Sequence, residues 1–263
     1  MVDNVKQHFR PAEASFIDLS EGYIRQVFDE YRPVLTNFLN PRQRYILETL
    51  VNQHDEIKML ANGGFKDAES QRVLLFPEYY EPELKDFEIA AIEINYPTKF
   101  TDLHHSTVLG TLMHAGIERD SVGDIVTNGN GNGIWQFVLT EPMARFVQTT
   151  LDHIGKVKVR FESIELTTLI EHLEEWEEIE TTVAALRLDI IVANGYNISR
   201  THAKEIIERG SVRVNWIDIP RPDYLLAVND LISVRKYGRI KLIDENGLTK
   251  KDKWRITLAV IKK

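Results

Sequence analysis

Residues 186–216 constrain the fold most strongly, because they predict two short helices followed directly by a strand. The first helix begins in the run Leu186–Val192 and ends near Gly195. Ser199 is a natural N-cap for a second helix over about Arg200–Arg209, since its hydroxyl can accept a hydrogen bond from a free backbone N–H. Two closely spaced short helices of this kind indicate a small, locally folded domain.

The residues after the second helix predict a sheet. Gly210 suits the left-handed position that often ends a helix. Residues 212–216 alternate apolar and polar side chains, as a half-buried strand does, and Leu231–Tyr237 is a second strand. A terminal hairpin should turn at Asn246-Gly247 and return through residues 254–260. The sequence from about Val183 to Lys263 is therefore predicted to form one α+β domain.

The charge of the chain is divided unequally. The net charge is −8, which alone argues against nucleic acid as a partner. From Val183 onward, however, 16 basic side chains face 9 acidic ones, a net charge of +7, whereas residues 1–182 carry 16 basic and 31 acidic groups, a net of −15. Such asymmetry indicates separate surfaces with separate partners, and the basic part is a candidate polyanion binder.

Three strings in this basic part resemble the alpha-L, or S-four, RNA-binding motif. They are Leu186–Asp189, Ile198–Lys204 and Ile207–Asn215. The motif occurs in a small-subunit ribosomal protein, in bacterial tyrosyl-tRNA synthetases, in pseudouridine synthases and in heat-shock protein fifteen. Two positions depart from it, since Asn229 stands where the family usually has glycine and Trp216 where a small residue is common.

The resemblance implies an RNA-binding surface on the two helices. Backbone N–H groups and the helix dipole at a helix N-terminus favour phosphate oxygens. The deep groove of A-form RNA is closed to side chains, so a small basic domain recognises the shape of the RNA and its phosphates. Arg187 has an alternative partner in Asp189 or the acidic linker, and we favour the phosphate contact. The candidate RNA-binding residues are Arg187, Ser199, Arg200, Thr201, Lys204, Arg209, Arg213, Asn215, Arg235 and Lys236.

Residues 1–82 are predicted to form a mostly helical first domain. Apolar residues in Phe16–Tyr31 recur at helical spacing. Asn40-Pro41 places a capping residue before a proline at the first helical position and opens a helix over Arg42–Asn52. Residues 72–76 are predicted to form a short strand.

Residues 83–165 predict a middle domain with the order β-α-β-β-α-β. Strands are expected at Phe87–Tyr96, 124–127, 134–139 and 157–161, with helices at 106–114 and 141–154. This order is the ferredoxin-like plan that RNA-recognition domains also use. Trp135 and Phe137 alternate onto one face, where they form either a base-stacking platform or part of the core.

An acidic linker, residues 166–182, is predicted between the middle and C-terminal domains. Six of the ten residues from Glu171 to Glu180 are glutamates. We interpret this segment as a connecting helix or linker, with a solvated spacer favoured over an interaction surface. The whole chain is thus expected to be a multidomain α+β protein with three domains and one linker.

Motifs along nearly the whole chain resemble the YlmH-type bacterial RNA-binding proteins. They are Asp3–Arg10, Gly63-Gly64-Phe65 with Glu69 and Arg72, Phe76–Tyr80, Leu109–Met113 and Lys251–Arg255. Members of this family are cytoplasmic, non-catalytic, and encoded near cell-division genes in Gram-positive bacteria. Their S-four domain is similar to that of stand-alone proteins that hold peptidyl-tRNA on stalled large ribosomal subunits. The resemblance implies ribosomal RNA and tRNA as partners, with Arg187 and Arg200 as contacts.

Several other kinds of site are not supported by the sequence. The chain has no cysteine, which excludes disulfides and thiolate metal sites. The glycines of 128–133 and of 63–64 lack the spacing of nucleotide-binding loops. His104, His105 and His114 match no metal-ligand spacing. The string Arg187-Leu188-Asp189 also occurs as a catalytic string in pseudouridine synthases, but here it lies in the RNA-binding helix. We expect no catalytic residue, no metal and no cofactor.

The leading hypothesis is a non-catalytic factor that binds ribosomal RNA or tRNA on the large subunit. No apolar run suggests a secretory signal or a membrane span, so a cytoplasmic protein is expected. The alternatives are an RNA-modifying enzyme whose S-four domain delivers substrate, and a cell-division interaction protein. The acidic domains are expected to have a protein partner or a second contact on the same particle.

Overall fold

A computed structural model describes residues 9–98, 101–129, 133–170 and 176–262. The chain divides into two compact units, Met1–His172 and Leu173–Lys263. Three parts of the sequence interpretation fall partly outside the described residues: the string Asp3–Arg10, the turn at 128–133 and the glutamates of 171–175.

The first half of unit 1 packs two helices on a three-stranded sheet. Its elements are a 3-10 turn at Pro11–Glu13, α1 at Ala14–Glu30, β1 at Val34–Leu39, α2 at Pro41–Val51, β2 at Ile57–Asn62 and β3 at Gln71–Pro77. The strands are antiparallel in the order β1-β3-β2. The helices and β3 were predicted, whereas β1 and β2 were not, so this half contains more sheet than the sequence indicated.

Asn40 opens α2 as predicted. Its side chain accepts from the backbone N–H of Gln43 at 2.8 Å, and the Gln43 side chain accepts from the Asn40 N–H at 3.0 Å. Pro41 occupies the first helical position, where its missing N–H leaves no intrahelical hydrogen bond unmade. This reciprocal pair fixes where the helix begins.

The second half of unit 1 has the predicted β-α-β-β-α-β order. Its main elements are β4 at Ile89–Asn95, α3 at His105–His114, β5 at Val122–Thr127, β6 at Trp135–Thr140, α4 at Glu141–Thr150, a small hairpin of β7 at His153–Ile154 and β8 at Val157–Lys158, and β9 at Arg160–Ile164. The four long strands are antiparallel in the order β5-β6-β4-β9, as in the ferredoxin-like fold. The multidomain α+β class is confirmed.

The two halves of unit 1 share buried polar contacts. Arg72 of β3 donates to the carbonyl oxygens of Thr36, Phe87 and Glu88 at 2.8–3.0 Å. The Asp124 carboxylate on β5 accepts from the backbone N–H groups of Glu69 and Ser70 at 2.6 and 3.0 Å. The predicted border at 82/83 therefore runs through a single compact unit.

In unit 2, two helices pack on one face of a six-stranded antiparallel sheet. Its elements are β10 at Glu177–Val183, α5 at Leu188–Gly195, α6 at Arg200–Glu208, β11 at Val212–Val214, β12 at Ile217–Asp218, β13 at Leu231–Val234, β14 at Gly238–Leu248 and β15 at Trp254–Lys262. The strand order is β10-β15-β14-β13-β11-β12. Apolar residues of both helices and five strands form one continuous core.

Two predictions for unit 2 need correction. Residues 177–183 form β10, which pairs with β15 along its whole length, so they are neither a helix nor a linker. Asn246-Gly247 lies inside β14, where the register shifts and Gly247 has φ +81°, and the hairpin turns at Thr249–Lys253 instead. The strong Asn-Gly turn signal here marks a bulge.

None of the described helices combines the length and apolar character that a membrane-spanning helix requires.

A partly buried ion triad ties the 3-10 turn at Pro11–Glu13 to α2. Glu13 accepts from Arg10 Nε at 3.0 Å and from Arg42 Nε at 2.9 Å, and the Arg42 guanidinium lies over the rings of Phe9 and Tyr45. Burial acts to raise the pKa of Glu13, but the hydrogen bonds from Arg42 and Arg10 outweigh it and lower the pKa to about 2. The triad therefore stabilises the fold only while Glu13 is ionised.

We predict that Glu13→Gln lowers the free energy of unfolding by about 3 kcal/mol at neutral pH. Because the pKa of Glu13 is depressed on folding, its contribution is complete above the ordinary value of 4.5 and disappears as the pH falls to about 2. Urea unfolding of the full chain at several pH values measures this difference. Glu30→Gln, which breaks an exposed pair with Arg32, should cost less than about 1 kcal/mol. A Glu13→Gln penalty that persists unchanged at pH 2 would contradict the assignment.

Candidate RNA-binding surface

A buried aspartate on α5 joins the two arginines that the sequence singled out. The Asp189 side chain is fully buried and accepts from Arg187 Nε at 3.0 Å and Nη2 at 3.3 Å. It also accepts from Arg200 Nε at 2.8 Å. Arg187 is the N-cap of α5 and Arg200 is the first residue of α6, so one carboxylate holds the starts of both helices together.

The Asp189 carboxylate is ionised at neutral pH. Burial acts to raise the pKa of Asp189, but the hydrogen bonds and charges of Arg200 and Arg187 outweigh it, so the pKa lies below its ordinary value. Two positive charges around one negative charge leave this cluster with a net charge of +1. The cluster can therefore attract a further anion.

Both guanidinium groups reach solvent while Asp189 does not. The side chains of Arg187 and Arg200 are 31% and 51% exposed. Over the residues that the structure describes, Asp189 is the only carboxylate that either group contacts. Their other N–H groups can donate to an external acceptor, and guanidinium geometry matches the oxygens of a phosphate. The ion pair with Asp189, which the sequence offered as the alternative for Arg187, is thus present, and it leaves other N–H groups of both arginines accessible.

The N-terminus of α6 adds polar groups beside Arg200. The Ser199 hydroxyl accepts from the backbone N–H of His202 at 3.1 Å, which confirms it as the N-cap. Thr201 is exposed and Lys204, one turn further along, is half-buried. The structure thus brings together Arg187, Ser199, Arg200 and Thr201 at the starts of the two helices, with Lys204 in the middle of α6.

A loop before β13 supports this surface from the side. The backbone N–H groups of Leu188 and Asp189 donate to the carbonyl oxygens of Tyr224 and Pro222 at 2.9 and 3.0 Å. The same loop carries Arg221, which is exposed and paired with its neighbour Asp223. Sequence reasoning missed Arg221 because nothing local indicates that this loop packs against the start of α5.

Two other candidate residues, Arg209 and Arg235, lie at the opposite end of α6, and Lys236 follows Arg235 in sequence. Arg209 follows the helix and lies 3.7 Å from Glu205. Arg235 donates its backbone N–H to the carbonyl of Ser211 at 2.9 Å, and Lys236 follows in the turn before β14. A nine-residue helix is ~13 Å long, so Arg209 and Arg235 are separate from the arginines on Asp189. Tyr237, next to Lys236, lies 2.8 Å from His202 in the first turn of α6.

The last two candidate residues are engaged within the fold. Arg213 on β11 pairs with Asp218 of β12 at 2.7 Å. The Asn215 side chain donates to Asp230 Oδ1 at 2.8 Å and accepts from the backbone N–H of Leu231 at 3.0 Å. Asn215 also has φ +49°, a conformation that asparagine adopts more readily than most residues. Its contacts are those of a turn-forming residue.

The middle-domain sheet does not offer the base-stacking platform that sequence analysis left open. Trp135 and Phe137 are buried in the core beneath α3 and α4. On the other face of β6, Gln136 is buried and its Oε1 accepts from the backbone N–H of Ile170 at 2.7 Å. Val138 packs with Phe65 and Leu166. The chain itself thus covers this face around Ala91, Val126 and Val138, while Asn95, Arg160 and Glu162 on the same face are exposed. For Trp135 and Phe137, core packing is the correct alternative.

Across the described segments, no group of three or more histidine and carboxylate side chains is arranged to hold a metal ion.

Comparison with protein families divides the chain into three parts. A family described as "YlmH, N-terminal" matches residues 12–80, one described as "Putative RNA-binding domain in YlmH" matches residues 82–168, and the S4 domain matches residues 186–232. A Bacillus subtilis protein named ribosome-associated protein quality control protein P2 is 38% identical over 256 residues, which cover 97% of this chain and 98% of that protein.

The chain belongs to the YlmH family.

A solved structure agrees with this membership. The cell division protein YlmH from Streptococcus pneumoniae is 31% identical, with a TM-score of 0.56 over 62% of this chain and 98% of that one. The S4 match contains Arg187, Asp189 and Arg200, so the buried aspartate and its two arginines lie in the RNA-binding module of this YlmH-family protein.

The shared carboxylate predicts that the two arginines contribute non-additively to stability. Arg187→Ala and Arg200→Ala should each lower the free energy of unfolding by about 1 kcal/mol. The double variant should cost about 1 kcal/mol more than their sum, because only then does buried Asp189 lose both partners.

Urea unfolding of the full chain measures this coupling. Arg209→Ala combined with Arg213→Ala is the matched control, since these residues share no partner and their effects should add. Additive effects of Arg187→Ala and Arg200→Ala would show that Asp189 does not couple the two side chains.

Proposed function

We propose that this protein is a non-catalytic RNA-binding factor that docks on ribosomal RNA, on tRNA, or on both, at the large ribosomal subunit. The observation that carries the proposal is the pair of exposed arginines held on buried Asp189 at two helix starts. Phosphate contacts of this kind position a protein on structured RNA without reading base sequence.

Several findings support the ribosomal setting. The S4 domain match covers the arginine pair, and the Bacillus subtilis relative has a name that refers to ribosome-associated quality control. We extend that setting to this chain, with peptidyl-tRNA on the large subunit as the bound state. The site of action is then the cytoplasm, where ribosomes are.

The candidate contacts fall into a primary and a secondary group. The primary group is Arg187, Ser199, Arg200, Thr201 and Lys204, because these residues lie at the two helix starts or one turn further along α6. Arg209, Arg235 and Lys236 form a secondary group. Arg213 can join the RNA only by exchanging Asp218 for a phosphate, and Asn215 acts through the fold. The acidic residues 1–182 contact a protein or another part of the same particle.

A role in cell division is the second candidate function. It is favoured by the name of the Streptococcus pneumoniae structure, a cell division protein. In that case RNA binding and division would be separable. An Arg187→Ala, Arg200→Ala double variant that no longer binds RNA but restores normal division to a deletion strain would favour this second function.

Sedimentation of cell lysates through a sucrose gradient at low salt tests the ribosomal proposal. The wild-type protein should migrate with large subunits, and Arg187→Ala, Arg200→Ala should shift it to the top of the gradient because two phosphate contacts are lost. Arg25→Ala, Arg160→Ala removes two exposed arginines from unit 1 and should leave the profile unchanged. Wild-type protein found only in the free fractions would contradict the proposal.

A further inference from the structure

The hairpin tip, defined here as Leu248–Arg255 between β14 and β15, is a strongly basic surface outside the S4 match. It carries Lys250, Lys251, Lys253 and Arg255 against one carboxylate, Asp252. The S4 match ends at residue 232, so nothing in that module accounts for these charges.

Backbone geometry fixes the shape of the hairpin tip. The Thr249 N–H donates to the Lys253 carbonyl at 2.7 Å, and its hydroxyl accepts from the N–H groups of Lys251 and Lys253 at 3.3 and 3.1 Å. Asp252 completes the turn with φ +54°, a conformation that aspartate tolerates. The lysines are therefore presented by an ordered turn.

The three lysines are exposed and have no counter-charge of their own. In the described portion of the chain, none of Lys250, Lys251 and Lys253 lies within ion-pair distance of a carboxylate. This contrasts with the basic side chains of Arg213 and Arg221, which each pair with a nearby aspartate. Unpaired ammonium groups in a cluster raise the local potential and attract a polyanion.

Strand pairing places the hairpin tip near the arginines on Asp189. Trp254 is paired with Val183 at the end of β10, and Arg255 is paired with Thr182. Arg187 lies four positions after Val183, a path of at most ~14 Å. The hairpin tip and the starts of the two helices therefore lie toward the same end of the unit 2 sheet.

We propose that the hairpin tip is a second RNA-binding element that contacts phosphates of the same RNA as Arg187 and Arg200. This inference rests on the proposed function, because it takes that RNA as the ligand. Lysine ammonium groups act as point charges and make phosphate contacts that do not depend on base sequence. The proposed ligand of the hairpin tip is an RNA backbone. The experiment must distinguish it from the alternative ligand, an acidic protein surface.

The test measures binding of the full chain to labelled bulk tRNA over a series of KCl concentrations. Lys250→Gln, Lys251→Gln, Lys253→Gln should reduce the slope of log affinity against log salt by ~2–3, about one for each lost contact. Asp252→Asn removes the one carboxylate, keeps a residue that tolerates positive φ, and should tighten binding. Lys66→Gln, Lys156→Gln, Lys158→Gln is the matched control, since these exposed lysines lie in unit 1.

The outcomes separate this proposal from the proposed function. A wild-type salt slope in the hairpin-tip variant would overturn the inference. A hairpin-tip variant that binds tRNA normally but no longer sediments with large subunits would also overturn it, and would indicate an acidic protein partner. If the Arg187→Ala, Arg200→Ala variant keeps the wild-type slope while the hairpin-tip variant has a smaller one, the inference about the hairpin tip holds. The proposed contact of Arg187 and Arg200 with RNA would then be wrong. Binding of wild type that does not depend on salt would overturn both.

Discussion

The RNA-binding unit depends on the ion pairs that the buried carboxylate of Asp189 makes with two arginines. A lone ionised carboxylate in a protein interior is strongly unfavourable, so it requires charged or hydrogen-bonding partners. Arg187 and Arg200 supply them from the starts of two helices. The Asp189 backbone N–H also binds the carbonyl of Pro222, which ties the neighbouring loop to the same point. One residue thus organises two helix N-termini and the exposed charge through its side chain, and a loop through its backbone.

The middle domain shows that a shared fold does not carry a shared binding mode. Its strand order is the ferredoxin-like one found in RNA-recognition domains. Yet Trp135 and Phe137 are buried beneath the helices, and residues 164–170 and Phe65 cover part of the opposite face. Gly64 has φ +92°, and a Cβ atom at this position would lie 3.0 Å from Val138 Cγ1, so a larger residue would crowd the sheet. If this domain contacts RNA through its sheet, Trp135 and Phe137 do not stack on the bases, because both side chains lie in the core.

Local signals in the sequence predicted local structure well. Ser199 and Asn40 are N-caps, and Gly210 has φ +69°, because the residues that satisfy these positions lie within one helical turn. Contacts between distant residues were harder to predict. Asp189 and Arg200 are eleven positions apart and join only when the two helices pack. Strand β10 was not predicted, because its glutamates suggested a solvated linker. Charged side chains are common on edge strands such as β10, and its partner β15 lies about 75 residues further along the sequence. The Asn246-Gly247 signal predicted a hairpin turn, but these residues lie in a bulge of β14, where Gly247 has φ +81°.

Crosslinking the tagged protein to RNA in living cells, followed by sequencing, tests the central claim most directly. The measurement compares wild type with Arg200→Glu, which reverses one of the two charges held by Asp189. We predict reads concentrated in large-subunit ribosomal RNA and in tRNA for wild type, and their loss in Arg200→Glu. Diffuse reads that Arg200→Glu leaves unchanged would contradict the account, because the arginines on Asp189 would then not be the RNA-binding surface.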